Sequence, residues 1–551
     1  MNDSYVRTAE ALMGTQDGRW RHHVRHVMPR LISAGDLQQM PDDGLPEGVC
    51  QRAATGILKL ASAHSVMITP RGINWFKFKS SKRAEDISND EQDWYQRVTQ
   101  IAQNELESSN FYAACISLII DRCAAGTGLM LTETDDRNKR LLFTHVPIGT
   151  YRMSENKYHE IDTVCREFTF TAHQAAQAFG EDALDKDMKA AYDKPEERYK
   201  TEFRIWHLVT PRNVASRGNG DELTAPKRMP YASVYIARGT KEILHEGGYQ
   251  EFPYMATRFL KYGNQVYGES ALAPVQRDIE RLIELEDAMT EAAKAAAFPR
   301  VLATADMVGQ IDMRAGGVTV LSPEAVRSGL PKEWASSAQF AVSINQMEMF
   351  NAAIDDALFV NQLQAVSQVT RQMSATEAQL RENEKLMTFS QTFTQFTADF
   401  RPLMERVFCL LYRMGKYPTV GQPRDLFEAT GPDGKGLKIA APEVKYLGRL
   451  SKALESARAQ GLMESLTYAL EMFSATQDPA WMDYFKPYHC MRFITDESNV
   501  DTDCLRTTAE AENQQTKRER IAQQQMKLQL LQQQADIAAT QAKATPTIQR
   551  P

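Results

Sequence analysis

Three histidines near the start of the chain have the spacing best suited to holding a metal ion. His22 and His26 are four residues apart, which places them on one face of a helix, and His23 lies beside them. The sequence has no acid or cysteine within one helical turn of this pair, and the neighbouring arginines repel a cation. The pattern therefore favours an ordinary surface cluster over a metal site.

The glycine-rich segments do not have the pattern of a nucleotide site. A P-loop requires Gly-x4-Gly-Lys-Ser/Thr, so that successive N–H groups surround phosphate, and the sequence does not contain it. Gly434-Lys435-Gly436 lacks the hydroxyl and the upstream glycine, which is typical of a surface turn. Gly126-Thr127-Gly128 follows a predicted helix instead of starting one, so it indicates a helix-ending turn.

The common catalytic motifs are missing as well. The sequence contains no Gly-x-Ser-x-Gly, His-Glu-x-x-His or Gly-x-Gly-x-x-Gly. His207 lies in the strand-like run 203–209, which favours a histidine packed in the core. The residues taken alone therefore show no catalytic constellation.

Composition and charge define the class of protein. The chain has 551 residues, 43% of them hydrophobic and 25% charged, as in soluble proteins of about three to five domains or one large subunit. Its 71 acids and 64 bases argue against a surface that binds nucleic acid throughout, although not against a protein that lets DNA pass. Seven cysteines without a Cys-x-x-Cys pair argue against a disulfide framework, and we expect a cytosolic chain without signal peptide or membrane helix.

Hydrophobic periodicity predicts an α+β fold in which helices predominate. Helices are expected at 6–33, where the first ends near Pro29, at 53–64 and at 91–121. A mixed α+β body follows, with strands at 163–170, 203–209 and 232–237.

Long helices dominate the second half of the sequence. Two of them, 271–297 and 337–359, each carry an apolar stripe at helical spacing and flank a small β-rich insert like a stalk. A polar segment, 360–373, leads to a third helix, 374–414, with a capping box from Ser374 to Glu377 and a kink or break at Pro402. For the glutamine-rich stretch 508–541, an exposed helix or short coiled coil and a disordered tail are both open.

The first stalk helix is strongly acidic. Six acids and two bases lie between Arg277 and Glu291. Such a run is typical of a solvated helix face, or of a passage whose wall repels a polyanion. The polar segment that follows the second stalk helix is either a surface loop or a set of neutral donors that touch a passing backbone.

Several short motifs recur in a fixed order over about residues 10 to 415. They are Trp20, Pro29, Leu58-Lys59-Leu60-Ala61-Ser62, Pro70, Asn74-Trp75-Phe76, Asn110-Phe111, Gly126-Thr127-Gly128, Val146-Pro147-Ile148-Gly149, Val164-Cys165-Arg166 to Phe179-Gly180, His207, Pro211-Arg212, Tyr249, Phe252-Pro253, Arg258-Phe259, Tyr267-Gly268-Glu269-Ser270 and Ala375-Thr376-Glu377. In this order the chain resembles the head-to-tail connector, or portal, proteins of short-tailed bacteriophages. Beyond Pro418 no motif carries the resemblance.

The resemblance implies a portal fold in a homododecameric ring around a channel for double-stranded DNA. The α/β wing would comprise residues 1–268 and 374–440, and the two-helix stem residues 269–297 and 337–359. The small α/β clip would be 298–336, the tunnel loop 360–373 and the helical crown or barrel 441–551.

The resemblance also implies a location and partners. The ring would sit at one vertex of the capsid in the virion, after assembly in the host cytoplasm, as the conduit for genome packaging and ejection. Its partners would be the terminase large subunit, tail adaptor and tail proteins, and the scaffolding and major capsid proteins, with no membrane. A separate terminase would hydrolyse the ATP, which accounts for the missing P-loop. The resemblance therefore predicts a protein that is not an enzyme, with no catalytic residue, no metal and no cofactor.

Two sets of residues are expected to face the DNA under this reading. Weak contacts to DNA are assigned to the tunnel loop, at Gln364, Ser367, Gln368 and Arg371. A negative wall is assigned to the stem, at Asp278, Glu280, Glu284 and Glu286. Twelve chains of charge −7 would carry about −84 in total, which favours sliding over tight binding.

Two other functions remain alternatives at the level of sequence. One is a DNA-processing enzyme, a nuclease or translocase, whose site forms only in the fold and would show metal-dependent cleavage or ATP turnover. The other is a coiled-coil scaffold built around the C-terminal stretch, which would fail to assemble when cut near Glu510.

Overall fold

A computed structural model describes most of the chain. The described residues are 2–15, 18–35, 48–82, 89–135, 137–212, 225–297, 300–302, 323–328, 332–334, 340–361, 390–423, 426–430, 436–447, 449–478, 485, 490–491, 494 and 508–544. They divide into two compact units. The first comprises 1–76, 100–417 and 425–450, and the second 77–99, 418–424 and 451–551.

Helices and strands alternate through the first half, and helices predominate in the second. The helices are α1 (Asn2–Met13), α2 (Arg19–Val24), α3 (Pro29–Gly35), α4 (Gln51–Ile68), α5 (Asn89–Ser108), α6 (Phe111–Ala125), α7 (Ala172–Phe179), α8 (Lys186–Tyr192), α9 (Gln276–Ala297), α10 (Pro323–Ser328), α11 (Phe340–Ala357), α12 (Ser390–Arg413), α13 (Arg449–Thr476) and α14 (Thr508–Ala544). The strands are β1 (Phe76–Lys79), β2 (Thr127–Asp135), β3 (Arg140–Val146), β4 (Tyr151–Glu155), β5 (Ile161–Thr171), β6 (Glu202–Pro211), β7 (Tyr231–Ala237), β8 (Ile243–Tyr249), β9 (Tyr254–Arg258), β10 (Arg300–Leu302), β11 (Lys332–Trp334), β12 (Phe427–Thr430), β13 (Gly436–Ile439) and β14 (Glu443–Tyr446). The fold is thus mixed α and β with helix in the majority, as the α+β prediction has it.

The predicted first helix, 6–33, is wrong as a single element. The segment forms the three helices α1 to α3, and glycines at 14 and 18 lie where the first two separate. Pro29 begins α3 instead of ending a helix, because the first position of a helix needs no N–H donor. The next prediction, a helix at 53–64, is confirmed by α4, which ends before Pro70.

The predicted helix 91–121 is interrupted after Ser108. Asn110 turns its amide toward the outer edge of β3, where Nδ2 donates to the Phe143 carbonyl (2.6 Å) and Oδ1 accepts from the Phe143 N–H (3.0 Å). Ser109 Oγ accepts from the N–H of Phe111, the first residue of α6. Side-chain bonds to the backbone therefore replace one turn of helix.

A three-stranded antiparallel sheet in the order β3-β2-β9 forms the centre of the first unit. Leu129, Met130 and Leu131 of β2 are all buried although they alternate between its two faces. Helix α6 packs on β2 and β3, and α12 packs on β9 and β2. Both faces of this sheet are therefore covered by helices.

A second antiparallel sheet joins β4 to β8 in sequence order. Helix α1 covers one face, where Ala9 meets Trp206 and Leu208. Helices α7 and α8 cover the other, where Met188 meets Ile205. The predicted strands 163–170, 203–209 and 232–237 are confirmed as β5, β6 and β7.

The long helices of the second half are where the sequence predicts them. The stalk helices are α9 and α11, and the antiparallel pair β10 and β11 lies between them in the chain. Pro402 lies inside α12, which continues through it from Ser390 to Arg413, so the helix is not broken there. Residues 374–389, with Ser374 and Glu377, lie outside the described residues.

The second unit contains most of α13 and all of α14. Trp94 of α5 is buried there, and its Nε1 donates to the carbonyl of Pro418 (2.7 Å). The described side chains of α14, between 514 and 537, are all exposed. The glutamine-rich stretch is thus a helix, which favours the exposed-helix alternative.

Five cysteines of the described chain are buried as free thiols. They are Cys50, Cys115, Cys123, Cys165 and Cys409. Burial raises the pKa of Cys115, Cys123 and Cys409 to about 12. None of these three thiols ionises at neutral pH.

Candidate functional site at the base of α9 and α11

Helices α9 and α11 pack together through an apolar stripe. Ile279, Leu282 and Ile283 of α9 are buried, as are Ile354 and Leu358 at the end of α11. The stripe predicted on the first stalk helix is thereby confirmed near its start. Because this stripe of α9 is buried, its charged residues lie on the remaining faces of the helix.

The structure divides the predicted acids of the stem into two groups. Because an α-helix turns once every 3.6 residues, Glu280 and Glu284 share a face that also carries Asp287 and Glu291. Glu284, Asp287 and Glu291 are exposed, and Glu280 is partly buried. These four acids are spaced by four, three and four residues. Sequence reasoning did not use this spacing, and it therefore left Asp287 and Glu291 out of the predicted set.

The other predicted acids, Asp278 and Glu286, lie off this line. Asp278 is partly buried. Glu286 is exposed and adjoins the apolar stripe, where desolvation and the nearby charge of Asp287 raise the pKa of its carboxyl group. The four predicted acids therefore do not form one continuous wall.

The histidines of α2 pack against the start of α9. His22 Nε2 lies 3.6 Å from a carboxylate oxygen of Glu280. His23 Nε2 lies 3.1 Å from Glu269, and its Nδ1 lies 3.4 Å from the amide oxygen of Gln276. These rings thus help to dock α2 on the base of the stalk.

The two histidines with metal-ligand spacing do not point to one place, which agrees with the sequence prediction against a metal site. His26 Nδ1 lies 3.1 Å from the carbonyl oxygen of Gly48, whereas His22 faces Glu280. Within the described residues, no three His, Cys, Asp or Glu side chains are grouped as metal ligands. The geometry of the pair favours a structural role.

The end of α11 is held on α4. Arg52 Nε donates to Oδ1 of Asp355 (3.0 Å), and its Nη2 donates to Oδ2. The bond to the carboxylate raises the pKa of Arg52. A cavity of about 370 Å³ beside the pair is lined by the polar side chains of Gln51, Thr55 and Lys59.

The predicted DNA contacts follow directly in sequence. Gln364, Ser367, Gln368 and Arg371 belong to 362–389 and lie outside the described residues. Val360 lies one residue before the end of the described range 340–361. It is buried next to the Arg52 and Asp355 pair. Of the segment predicted as the tunnel loop, the structure thus describes residues 360 and 361.

Two predictions on single motifs are confirmed. His207 is fully buried, 2.9 Å from Ser233 Oγ and 2.8 Å from the hydroxyl of Tyr254. Gly126 ends α6 with φ of +88°, and a Cβ there would lie 2.3 Å from the carbonyl oxygen of Gly268. Of the segment Gly434-Lys435-Gly436, only the last residue is described, as the start of β13.

Comparison with known proteins identifies the family. The model of the bacteriophage head to tail connecting proteins matches residues 4–505. The chain belongs to this family. The match includes both sheets and the helices α9, α11 and α12, and it ends before α14 begins.

Two relatives of this head-to-tail connecting protein are named as portal proteins. The chain is 25% identical over 370 residues to the portal protein of Salmonella phage epsilon15, which covers 65% of this chain and 64% of that protein. It is 23% identical over 411 residues to the probable portal protein of Bordetella phage BPP-1, which covers 72% of each. The chain thus spans somewhat less than two thirds of the epsilon15 protein.

Sequence reasoning missed the buried arginines of this connecting protein. Arg406 of α12 donates to the carbonyl of Thr132 (2.9 Å) and to that of Glu251 (3.0 Å), which joins α12 to β2. No local pattern distinguishes such an arginine from one on a helix surface. The helix itself was predicted, but its sequence does not show what Arg406 contacts.

No helix among the described residues has both the length and the apolar content to span a bilayer.

Proposed function

We propose that this chain assembles into a closed ring of about twelve copies, the portal at one capsid vertex. DNA would enter through it during packaging and leave through it at ejection, and the tail would attach to it. The observation that carries the proposal is the family match over residues 4–505. The names of the two phage relatives support it, and neither names an enzymatic activity.

The order of elements supports the proposed division of the chain. Helices α9 and α11 would form the stem, and the hairpin of β10 and β11 with α10 would form the clip between them. The two sheets with α4, α6 and α12 would form the wing. Residues 360–373 would be the tunnel loop, and 441–551 the crown.

The charge of α9 supports a passage that does not bind DNA tightly. Glu284, Asp287 and Glu291 are exposed on one face, and phosphate is repelled by such a face. Lys294 offsets part of this charge, because its Nζ donates to Glu291 (3.0 Å). Weak contacts would come from the tunnel loop, at Arg371 and its polar neighbours.

The proposed position at the capsid vertex also implies which proteins the ring would contact. The clip would meet the terminase large subunit during packaging and the tail adaptor afterwards. The wing would meet the scaffolding and major capsid proteins. Assembly would take place in the host cytoplasm, and the ring would remain in the virion.

The first experiment is native mass spectrometry of the purified protein with negative-stain images of particles seen end on. We expect a ring of about twelve chains of 62.2 kDa with a hole wide enough for duplex DNA. A monomer or dimer without a channel would contradict the proposal. Metal-dependent DNA cleavage or ATP turnover by that species would then support a DNA-processing enzyme.

A further inference from the structure

One partly buried ion pair connects α11 to α4. Asp355 is only 7% exposed, although it is a carboxylate two residues before the end of α11. Arg52 donates to each of its two oxygens, in the forked geometry that guanidinium and carboxylate groups share. Arg52 belongs to α4 and its side chain is half-exposed, whereas Asp355 belongs to α11, so the pair joins the two helices.

Close packing next to this pair fixes the direction in which the chain leaves α11. Gly56 lies one turn beyond Arg52, and a Cβ there would be 2.6 Å from Cδ1 of Leu358. Phe359 has φ of +56°, which a residue with a side chain adopts only when its surroundings enforce it. Asn361 Nδ2 then donates to Oδ1 of Asp356 (3.0 Å) and closes the turn.

We propose that Arg52 and Asp355 form a clamp that fixes the end of α11 on α4 and so sets where the chain leaves this helix, at Val360 and Asn361. The inference rests on the proposed function, in which the segment 360–373 is the tunnel loop and touches DNA. Arg52 acts here as a positioning residue, because it is bonded to Asp355 and the contact with DNA is made further along the chain.

The clamp connects the end of α11 to the core of the first unit. Helix α4 packs on α6, and α6 packs on β2 and β3. The end of α11 is thereby tied to the covered three-stranded sheet.

Loss of Arg52 would leave a buried carboxylate without the charged donor that faces it. Hydrogen bonds to charged groups are strong, and a buried group left unpaired is costly. We therefore expect amide hydrogen exchange at residues 353–361 to become roughly tenfold faster or more, with little change in α6. A residue with only a general structural role would raise exchange in α6 as well.

The test compares Arg52→Gln, Arg52→Lys, Asp355→Asn and the double variant Arg52→Gln/Asp355→Asn by hydrogen exchange on the intact ring. Arg401→Gln is the matched control, since Arg401 Nε also donates to a carboxylate, that of Glu405 (2.7 Å), but within the single helix α12. We expect fast local exchange in Arg52→Gln, an intermediate rate in Arg52→Lys, and wild-type rates in Arg401→Gln. The double variant keeps the test decisive if a single one fails to fold, because it leaves no unpaired charge.

The functional arm measures the fraction of heads that hold full-length DNA. We expect Arg52→Gln to form rings of wild-type mass and yet to give several-fold fewer filled heads than Arg401→Gln. Equal exchange at 353–361 in Arg52→Gln and Arg401→Gln would overturn the clamp while leaving the portal proposal untouched. A wild-type protein that forms no ring would overturn the portal proposal, whereas the exchange comparison would still decide the clamp.

Discussion

His207 shows how one buried side chain couples pH to stability. Its ring lies between Ser233 of β7 and Tyr254 of β9, so it joins the five-stranded sheet to the three-stranded one. Burial holds the pKa of His207 well below its usual value, and the charge of Arg166 adds to the effect. The folded protein therefore keeps this ring neutral where the unfolded chain is protonated.

We predict that acid weakens the fold through His207. Since the folded pKa is the lower one, its contribution to stability is complete above about pH 6.5 and is lost as the pH falls, by about 1.4 kcal/mol for each pH unit. His207→Gln should be less stable than wild type at pH 7.5, by about 1 to 3 kcal/mol, because two hydrogen bonds change. Between pH 6 and pH 5 this difference in unfolding free energy should shrink by about 1.4 kcal/mol, because only the unfolded wild-type chain takes up the proton.

Denaturant unfolding at several pH values measures this effect. Ser233→Ala is the control, because it loses a hydrogen bond to the same ring and leaves the titrating group in place. Its stability should run parallel to that of wild type with pH. A His207→Gln curve that is also parallel would contradict the prediction.

Arg371 is the one cationic side chain in the predicted tunnel loop. Arg371→Glu should give several-fold fewer filled heads with ring assembly intact, because a carboxylate repels the phosphates that the arginine would contact. Counting filled and empty heads by sedimentation, with ring mass as a second readout, tests this. Arg371→Lys keeps the charge and should fill normally, and normal filling by Arg371→Glu would remove the loop from the mechanism.

Among the elements, the break between α5 and α6 depends on a contact that is distant in sequence. Asn110 binds the backbone of Phe143 at the free edge of β3, as a neighbouring strand would. Asn110→Ala should therefore destabilise the protein by about 1 to 2 kcal/mol, since both bonds are lost at once.

The control for this prediction is Asn138→Ala. Asn138 donates to Asp135 in an exposed turn, and its loss should change the free energy of unfolding by less than about 0.5 kcal/mol. Chemical denaturation of both variants decides the matter. Equal values for the two would mean that the break in the helix does not depend on the Asn110 amide.

These elements also show what a sequence can predict. The stripe of α9 follows from its period, so the helix and its buried Ile279 and Leu282 were predictable. The break at Asn110 was not, because its cause is a strand more than thirty residues away. Pro29 was misjudged because proline either ends or begins a helix, and which of these occurs depends on the neighbouring turn.

The candidate site also combines features that the sequence predicts with features that it does not. Histidines four residues apart have the spacing of ligands to one metal ion, but tertiary packing turns His22 to Glu280 and His26 to Gly48. The acids of α9 were recognisable as a group, and only helix geometry shows which of them align. The pairing of Arg52 with Asp355 joins residues about 300 positions apart, for which the sequence has no local signal.

For the whole molecule, the portal proposal makes α14 dispensable for assembly. The main ring contacts would lie in wing and stem, whereas α14 is a helix whose described side chains are exposed. A chain ending at Glu510 should form rings of the same symmetry as the full chain, measured by native mass spectrometry. Loss of all higher assembly would instead support a scaffold built around the C-terminal helix.

The burial of five thiols affects how readily the protein is oxidised outside the cell. A cysteine is oxidised as its thiolate, and at pH 8 a thiol of pKa about 12 is ionised in only about one molecule in ten thousand. A particle stored for long periods in aerated water would expose these sulfur atoms to oxygen and peroxide only when the surrounding core opens. In the proposed ring, neighbouring copies would therefore stay free of cross-links through these cysteines without any reducing agent.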